Sequence, residues 1–247
     1  MPTNDEIRSL FQLQRKMVPA AEGVMPVSRM LPGVRFFPGG RGIWNDSPET
    51  PEAQLPIGGV MVVGQDWGDL AAYRQAKTEK TPTPLEENPT WKGLLERLTA
   101  AELPPGSCFF TNFYMGLREK TGKRIQFPGA KSAEYAAACR NFLLEQINTV
   151  QPKLIILLGA RIPRRVAGLS EELNEWQKCK TASALDKNGA LKTDVRFGEH
   201  RTTVCWIIHP ERRVSNLRRR KFDGQKGEKA EVELMRQAAR VSGLLKA

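Results

Sequence analysis

Four short apolar runs constrain this chain more than any other feature of it. Residues 57–63, 107–112, 152–158 and 202–208 are rich in aliphatic or aromatic side chains, and glycine, proline or a polar tip bounds them. Runs of this length and composition read as buried strands, as in a parallel sheet covered on both faces. Segments with helical spacing alternate with them, which predicts an α/β layer architecture.

The polar tips matter as much as the runs. The first run leads into Gly64-Gln65-Asp66-Trp67-Gly68 and the last into His209-Pro210. In open α/β sheets a ligand sits beyond the carboxyl ends of the strands, so Asp66 and His209 are expected to face one crevice. The 38 Lys and Arg against 27 Asp and Glu leave a net charge of +11, which points to a polyanionic partner. A merely soluble basic protein carries the same total. Clustering argues against that reading: Arg161, Arg164 and Arg165 form one group, and Arg212, Arg213, Arg218, Arg219, Arg220 and Lys221 another. A carboxylate, an imidazole and a basic surface together suggest chemistry on a nucleic acid.

The four cysteines, Cys108, Cys139, Cys179 and Cys205, are far apart and include no C-x-x-C pair. That spacing fits neither a disulfide framework nor a zinc knuckle, and Cys108 and Cys205 read as small core residues within strands. No metal site is expected. No apolar run approaches membrane-spanning length and the first residues are unlike a signal peptide, so the expectation is a cytoplasmic protein with no membrane partner.

Along the chain, residues 5–17 have the spacing of a short amphipathic helix. Residues 18–56 are rich in Pro and Gly and read as an irregular arm, so the division is an N-terminal helix and arm over 1–56 and a main domain over 57–247. Arg35, Phe36, Phe37, Arg41 and Trp44 mix charge and rings, a pattern suited to phosphates and bases. It suits equally an arm packed on the sheet by its aromatics. Pro89-Thr90-Trp91 opens a second helix, and residues 132–150 carry the clearest helical stripe, with Tyr135, Cys139, Phe142, Leu143 and Ile147. Residues 170–200 are polar and poorly patterned, and a terminal helix begins near Glu228.

In this order the motifs resemble the uracil-DNA glycosylase superfamily over about residues 57–220. Gly64-Gln65-Asp66-Trp67-Gly68 is similar to the family's Gly-Gln-Asp-Pro-Tyr, or Gly-Glu-Ala-Pro-Gly in its iron–sulfur branch. Thr111-Asn112 resembles a later strand end, and His209-Pro210 the start of His-Pro-Ser. Cys139-Arg140-Asn141-Phe142-Leu143 and the stretch 151–159 resemble the iron–sulfur branch at many positions. The resemblance implies three α/β/α layers around a central, mainly parallel, four-stranded sheet. Three departures stand out. Trp67 replaces proline, Glu211 replaces serine, and Gly68 replaces the tyrosine that excludes the thymine methyl in the best-known branch. Of that branch's four cysteine ligands only Cys139 has a counterpart, and one thiolate does not hold a cluster that needs four. The expectation is therefore no cofactor.

Cutting a pyrimidine from deoxyribose builds positive charge on the sugar and negative charge on the departing base. The resemblance assigns Asp66 to orient water and offset the sugar's charge; as a loop residue Asp66 also suits a turn cap. His209 would donate to the base O2 as it becomes anionic, although a histidine after a strand is commonly structural. Asn112 offers an acceptor and a donor to one base edge, with Gln65, Trp67 and Gly68 beside it; it also suits a bond to its own loop. Trp91 falls near a base-stacking phenylalanine of the iron–sulfur branch and reads equally as the first core residue of its helix. The turn over 212–217 occupies the place of the family's DNA-entering loop, with Val214 or Leu217 as an apolar wedge. Arg212, Arg213, Arg218, Arg219, Arg220 and Lys221 would sit on phosphates, unless they form a solvated turn.

The expectation is thus a monomeric glycosylase acting on uracil or a related deaminated base in DNA. A non-catalytic nucleic-acid-binding protein on the same fold, or an enzyme of free nucleotides or RNA, are the competing readings.

Overall fold

Four of the five strands in the central sheet run parallel, and their lateral order is what places the candidate residues. This computed structural model describes residues 4–26, 57–71, 74, 88–120, 126–210 and 217–246. In chain order the elements are α1 (Asn4–Met17), β1 (Val24–Pro26), β2 (Val60–Gly64), α2 (Pro89–Ala100), β3 (Cys108–Asn112), β4 (Gly116–Arg118), α3 (Ala133–Val150) and β5 (Leu154–Leu158). There follow α4 (Ile162–Val166), α5 (Asn174–Gln177), α6 (Ala182–Lys187), β6 (Leu191–Phe197), β7 (His200–Ile207), β8 (Lys221–Phe222), β9 (Gln225–Lys226) and α7 (Gly227–Val241).

The sheet order is β3-β2-β5-β7-β6, with β6 antiparallel to β7 at one edge. The four expected strands supply the parallel part. Every residue of β2, β3 and β5 is buried, which is why these strands read as unbroken apolar runs. The fifth strand is not expected from sequence, because residues 170–200 carry no clear pattern. In β6 only Val195 and Phe197 are buried, and the register shifts between Lys192 and Val195, where Asp194 has a φ of 55°. An exposed edge strand with a bulge loses the alternation that would mark it. β4, also unforeseen, pairs with β1 and ties the N-terminal segment to the domain.

Consecutive residues of β3 show the layering. Phe110 meets the Trp91 ring on α2 edge-on at 4.9 Å, whereas the Thr111 hydroxyl donates to Gln146 Oε1 on α3 at 2.6 Å. Successive strand side chains point to opposite faces, so α2 and α3 cover opposite sides of the sheet. Ser132 caps α3 by accepting from the Tyr135 N–H at 3.1 Å, and Asn88 caps α2 by accepting from Thr90 and Trp91. The stripe on α3 is buried as its spacing predicts. All four cysteines are free and buried, and burial pushes the Cys108 and Cys205 thiols up to about 12. No helix among the described residues is long and apolar enough to cross a membrane.

Helix α7 is held to the sheet by charge as well as by apolar contact. Its Glu231 is fully buried, 3.0 Å from Arg220 and 3.7 Å from Arg97 of α2. Arg220 also pairs with Asp186 of α6, donates to the Trp206 carbonyl at 2.7 Å and lies 4.2 Å from the Trp206 ring centroid. Burial raises the Glu231 carboxyl above the usual carboxylate range, with Arg220 and Arg97 opposing that shift. Removing one member of such a group strands the others as buried charges. Glu231→Ala is expected to cost about 3–5 kcal/mol of unfolding free energy, read from urea denaturation.

Candidate active site

The parallel register carries the candidate residues to one edge of the sheet. Gly64, the last residue of β2, pairs with Asn112, the last of β3. The ladder continues past the strand ends: the Phe113 N–H donates to the Gly64 carbonyl at 2.9 Å and the Tyr114 N–H to the Gln65 carbonyl at 3.0 Å. The tip carrying Asp66 is thereby fastened to the tip carrying Asn112, whose side chain is buried. On the other side of β2, the Gly159 N–H after β5 donates to the Ile207 carbonyl at the end of β7, two residues before His209.

Asp66 closes a turn. Its Oδ1 accepts from the Gly68 N–H at 2.8 Å, and its Oδ2 accepts from Gln65 Nε2 at 3.0 Å. Gly68 has a φ of 92°, a conformation open to glycine, and a Cβ there would meet nothing within 4 Å. Arg118 of β4 completes the arrangement. Its Nε lies 3.6 Å from Asp66 Oδ1 and 3.2 Å from the Gly68 carbonyl, which also accepts from the Arg118 N–H at 3.0 Å. The Asp66 side chain is 8 % exposed and that of Arg118 14 %.

His209 and Pro210 are seated by two glycines. A Cβ on Gly159 would lie 3.3 Å from the His209 Cβ, and one on Gly93 of α2 would lie 3.3 Å from the Pro210 Cβ. Gly159 has a φ of 80°, so the tight turn and the close approach both need glycine there. Trp91, 9 % exposed, packs in the core against Phe110. That is the packing of a first core residue of α2.

Two residues expected at a DNA surface are interior instead. Arg220 is 1 % exposed and committed to Glu231, Asp186 and the Trp206 carbonyl, so its guanidinium is withdrawn from any phosphate. Leu217 is 7 % exposed and belongs to the apolar core, which removes it as a wedge. Their neighbours Arg218, Arg219 and Lys221 are exposed. Arg212, Arg213, Val214 and Glu211 lie outside the described residues, as does the arm over 27–56. A second exposed basic group stands where β5 ends: Arg161, Arg164 and Arg165, with the Arg165 guanidinium 5.9 Å from the Tyr114 ring centroid.

The chain matches the family model of the uracil DNA glycosylase superfamily over residues 59–234. It belongs to that superfamily. The match spans all five strands of the central sheet and both the Asp66 and the His209 tips, and membership makes this a DNA glycosylase-type protein with DNA as the substrate class. No curated protein matches the chain.

Sequence reasoning missed Arg118 and the Arg97–Glu231–Arg220 group. An isolated arginine in a basic loop carries no local sign of its partner, and Arg97 and Glu231 are 134 residues apart. Gly159 was legible as a turn after a strand, but its approach to His209 was not. Gly159→Ala is expected to cost about 1–3 kcal/mol through its left-handed backbone, read as a lowered urea midpoint.

Proposed function

We propose that this protein hydrolyses the N-glycosidic bond of uracil, or a related deaminated base, in DNA. The observation that carries the reading is the common carboxyl end of the parallel strands β3, β2, β5 and β7, where Asn112 ends β3, Asp66 follows β2 and His209 follows β7. β2 and β7 are two strand intervals apart, about 10 Å at the usual spacing. One extruded nucleotide spans that distance.

In this reading Asp66 orients the attacking water and offsets the positive charge that develops on the sugar. Gln65, Gly68 and Arg118 hold the carboxylate in place beforehand, which limits reorganisation during reaction. His209 donates to the base O2 as it becomes anionic. Asn112 reads the base edge, and a cytosine would leave its buried amide badly matched. The chemistry uses water and fixed charges, so no cofactor is invoked. Gly68 leaves open space where a tyrosine would exclude a methyl group, so thymine is not excluded by that means, and Asn112 separates uracil from cytosine only.

The two exposed basic groups flank the His209 tip, after β5 and after β7. We assign Arg161, Arg164, Arg165, Arg218, Arg219 and Lys221 to phosphate contact, and the protein acts as a cytoplasmic monomer in this reading. Flipping the base out of the stack costs about a few kcal/mol, which such contacts offset.

One observation favours a second reading, a non-catalytic DNA-binding protein on the same fold. Both Asp66 oxygens already accept a hydrogen bond from the Asp66 turn itself. The two readings separate on a uracil-containing oligonucleotide. The glycosylase reading expects an abasic product from the wild-type protein, a loss of about a hundredfold or more in Asp66→Asn, and a similar loss in His209→Ala. Undiminished cleavage by both variants removes the assigned roles, and wild-type binding without any abasic product establishes the second reading. Arg161→Ala with Arg218→Ala is expected to flatten the salt dependence of DNA binding, by about 0.9 in the log–log slope for each phosphate that is no longer neutralised.

A further inference from the structure

At Ile208, the residue before His209, side chains hold both main-chain polar groups. The N–H donates to Glu231 Oε1 of α7, and the carbonyl accepts from Arg97 Nη1 of α2 at 2.8 Å. One residue earlier the main chain still serves itself, because the Ile207 carbonyl accepts from the Gly159 N–H. The sheet's backbone bonding thus gives way to side chains at the peptide that joins Ile208 to His209. That peptide plane contains the Ile208 carbonyl and the His209 N–H, so a donor fixed on the carbonyl also fixes where the His209 main chain departs.

Anchoring two helices does not require charge at this place. Well-packed apolar side chains hold such positions as firmly as a buried ion group, or more so. The side chains of Arg97 and Glu231 are both fully buried. An apolar pair would supply neither the donor nor the acceptor that Ile208 uses. Pro210, just beyond, is seated on Gly93 of the same helix that carries Arg97. The segment 208–210 is therefore clamped from α2 and α7, and His209 is its one partly exposed residue.

We propose that Arg97, seated by Glu231, is a positioning residue for His209: it fixes the Ile208–His209 peptide plane and so aims the imidazole at the sheet edge. The catalytic consequence rests on the glycosylase reading; the orientation of the ring does not.

The test compares Arg97→Lys with Val195→Ala. The first keeps the charge but loses the planar fork. The second opens a cavity at the other end of β7, where Val195 pairs with Thr202. The chain has two histidines, so His200→Gln assigns their ring resonances, and His200 serves as an internal reference. The expected result in Arg97→Lys is a fall in kcat on the order of tenfold to a hundredfold with KM within about twofold, and displaced His209 ring signals with those of His200 unmoved. Val195→Ala is expected to lower the thermal midpoint and leave kcat and the His209 signals as they were. Unchanged His209 signals and kcat in a folded Arg97→Lys protein overturn the proposal, as does an equal displacement in Val195→Ala. Should Arg97→Lys not fold, Arg97→Met with Glu231→Leu removes the two charges together and is read in the same way. If the wild-type protein excises no base, the glycosylase reading fails, and the ring signals alone decide the positioning.

Discussion

The parallel pairing of β2 with both β3 and β5 governs this structure. Parallel strands place their carboxyl ends on one edge, so the residues that follow them emerge together although they are far apart in sequence. Asp66 and His209 are 143 positions apart, yet they follow strands that share β5 as a neighbour. The same pairing buries β2, β3 and β5 on both faces, which requires a helical layer on each side. The apolar strands therefore determine the layers, and the layers determine which loops can meet.

What the sequence disclosed follows that logic. Buried parallel strands announce themselves by composition, and α3 by a stripe that interior packing demands. The motif tips were legible because they adjoin strand ends, where a short run of residues is held by the ladder itself. The failures have a common physical origin. β6 lies on an edge with a bulge and is half solvated, so its pattern is weak. Arg220 stands in a run of cations whose members look alike in sequence, yet one of them turns inward because Glu231 and Asp186 wait there. Charge count tells how basic a turn is. It does not tell which side chain has a buried counter-charge.

That inward arginine changes how the basic turn should be understood. Arg220 stacks on Trp206 and holds its carbonyl, so the turn is pinned to β7 from below while Arg218, Arg219 and Lys221 face solvent. A basic turn anchored by one interior cation presents its other charges from a fixed base. The group after β5 is anchored differently: Ile162, Pro163 and Val166 of α4 are buried, which leaves Arg161, Arg164 and Arg165 outward on a short helix. Both groups owe their position to strands whose tips carry or touch His209. Both cationic groups and the His209 tip are thus built on the same end of the same sheet.

The turn commitments of Asp66 bear on its chemistry in a way that the motif alone does not reveal. A carboxylate has about four lone-pair sites. Gly68 and Gln65 take one on each oxygen, and Arg118 adds charge from 3.6 Å without displacing them. A carboxylate fixed in this way cannot swing toward or away from a sugar, so its usefulness depends wholly on where the turn aims it. Gly68 permits that turn, and Arg118 ties it to β4, which pairs with β1. The N-terminal segment is thereby linked mechanically to the carboxylate: β1 braces β4, β4 carries Arg118, and Arg118 braces the turn. The same clamp that suits a bare structural cap is also what a preorganised water-orienting group needs, because a carboxylate already held in place has no reorganisation left to undergo when the sugar becomes charged.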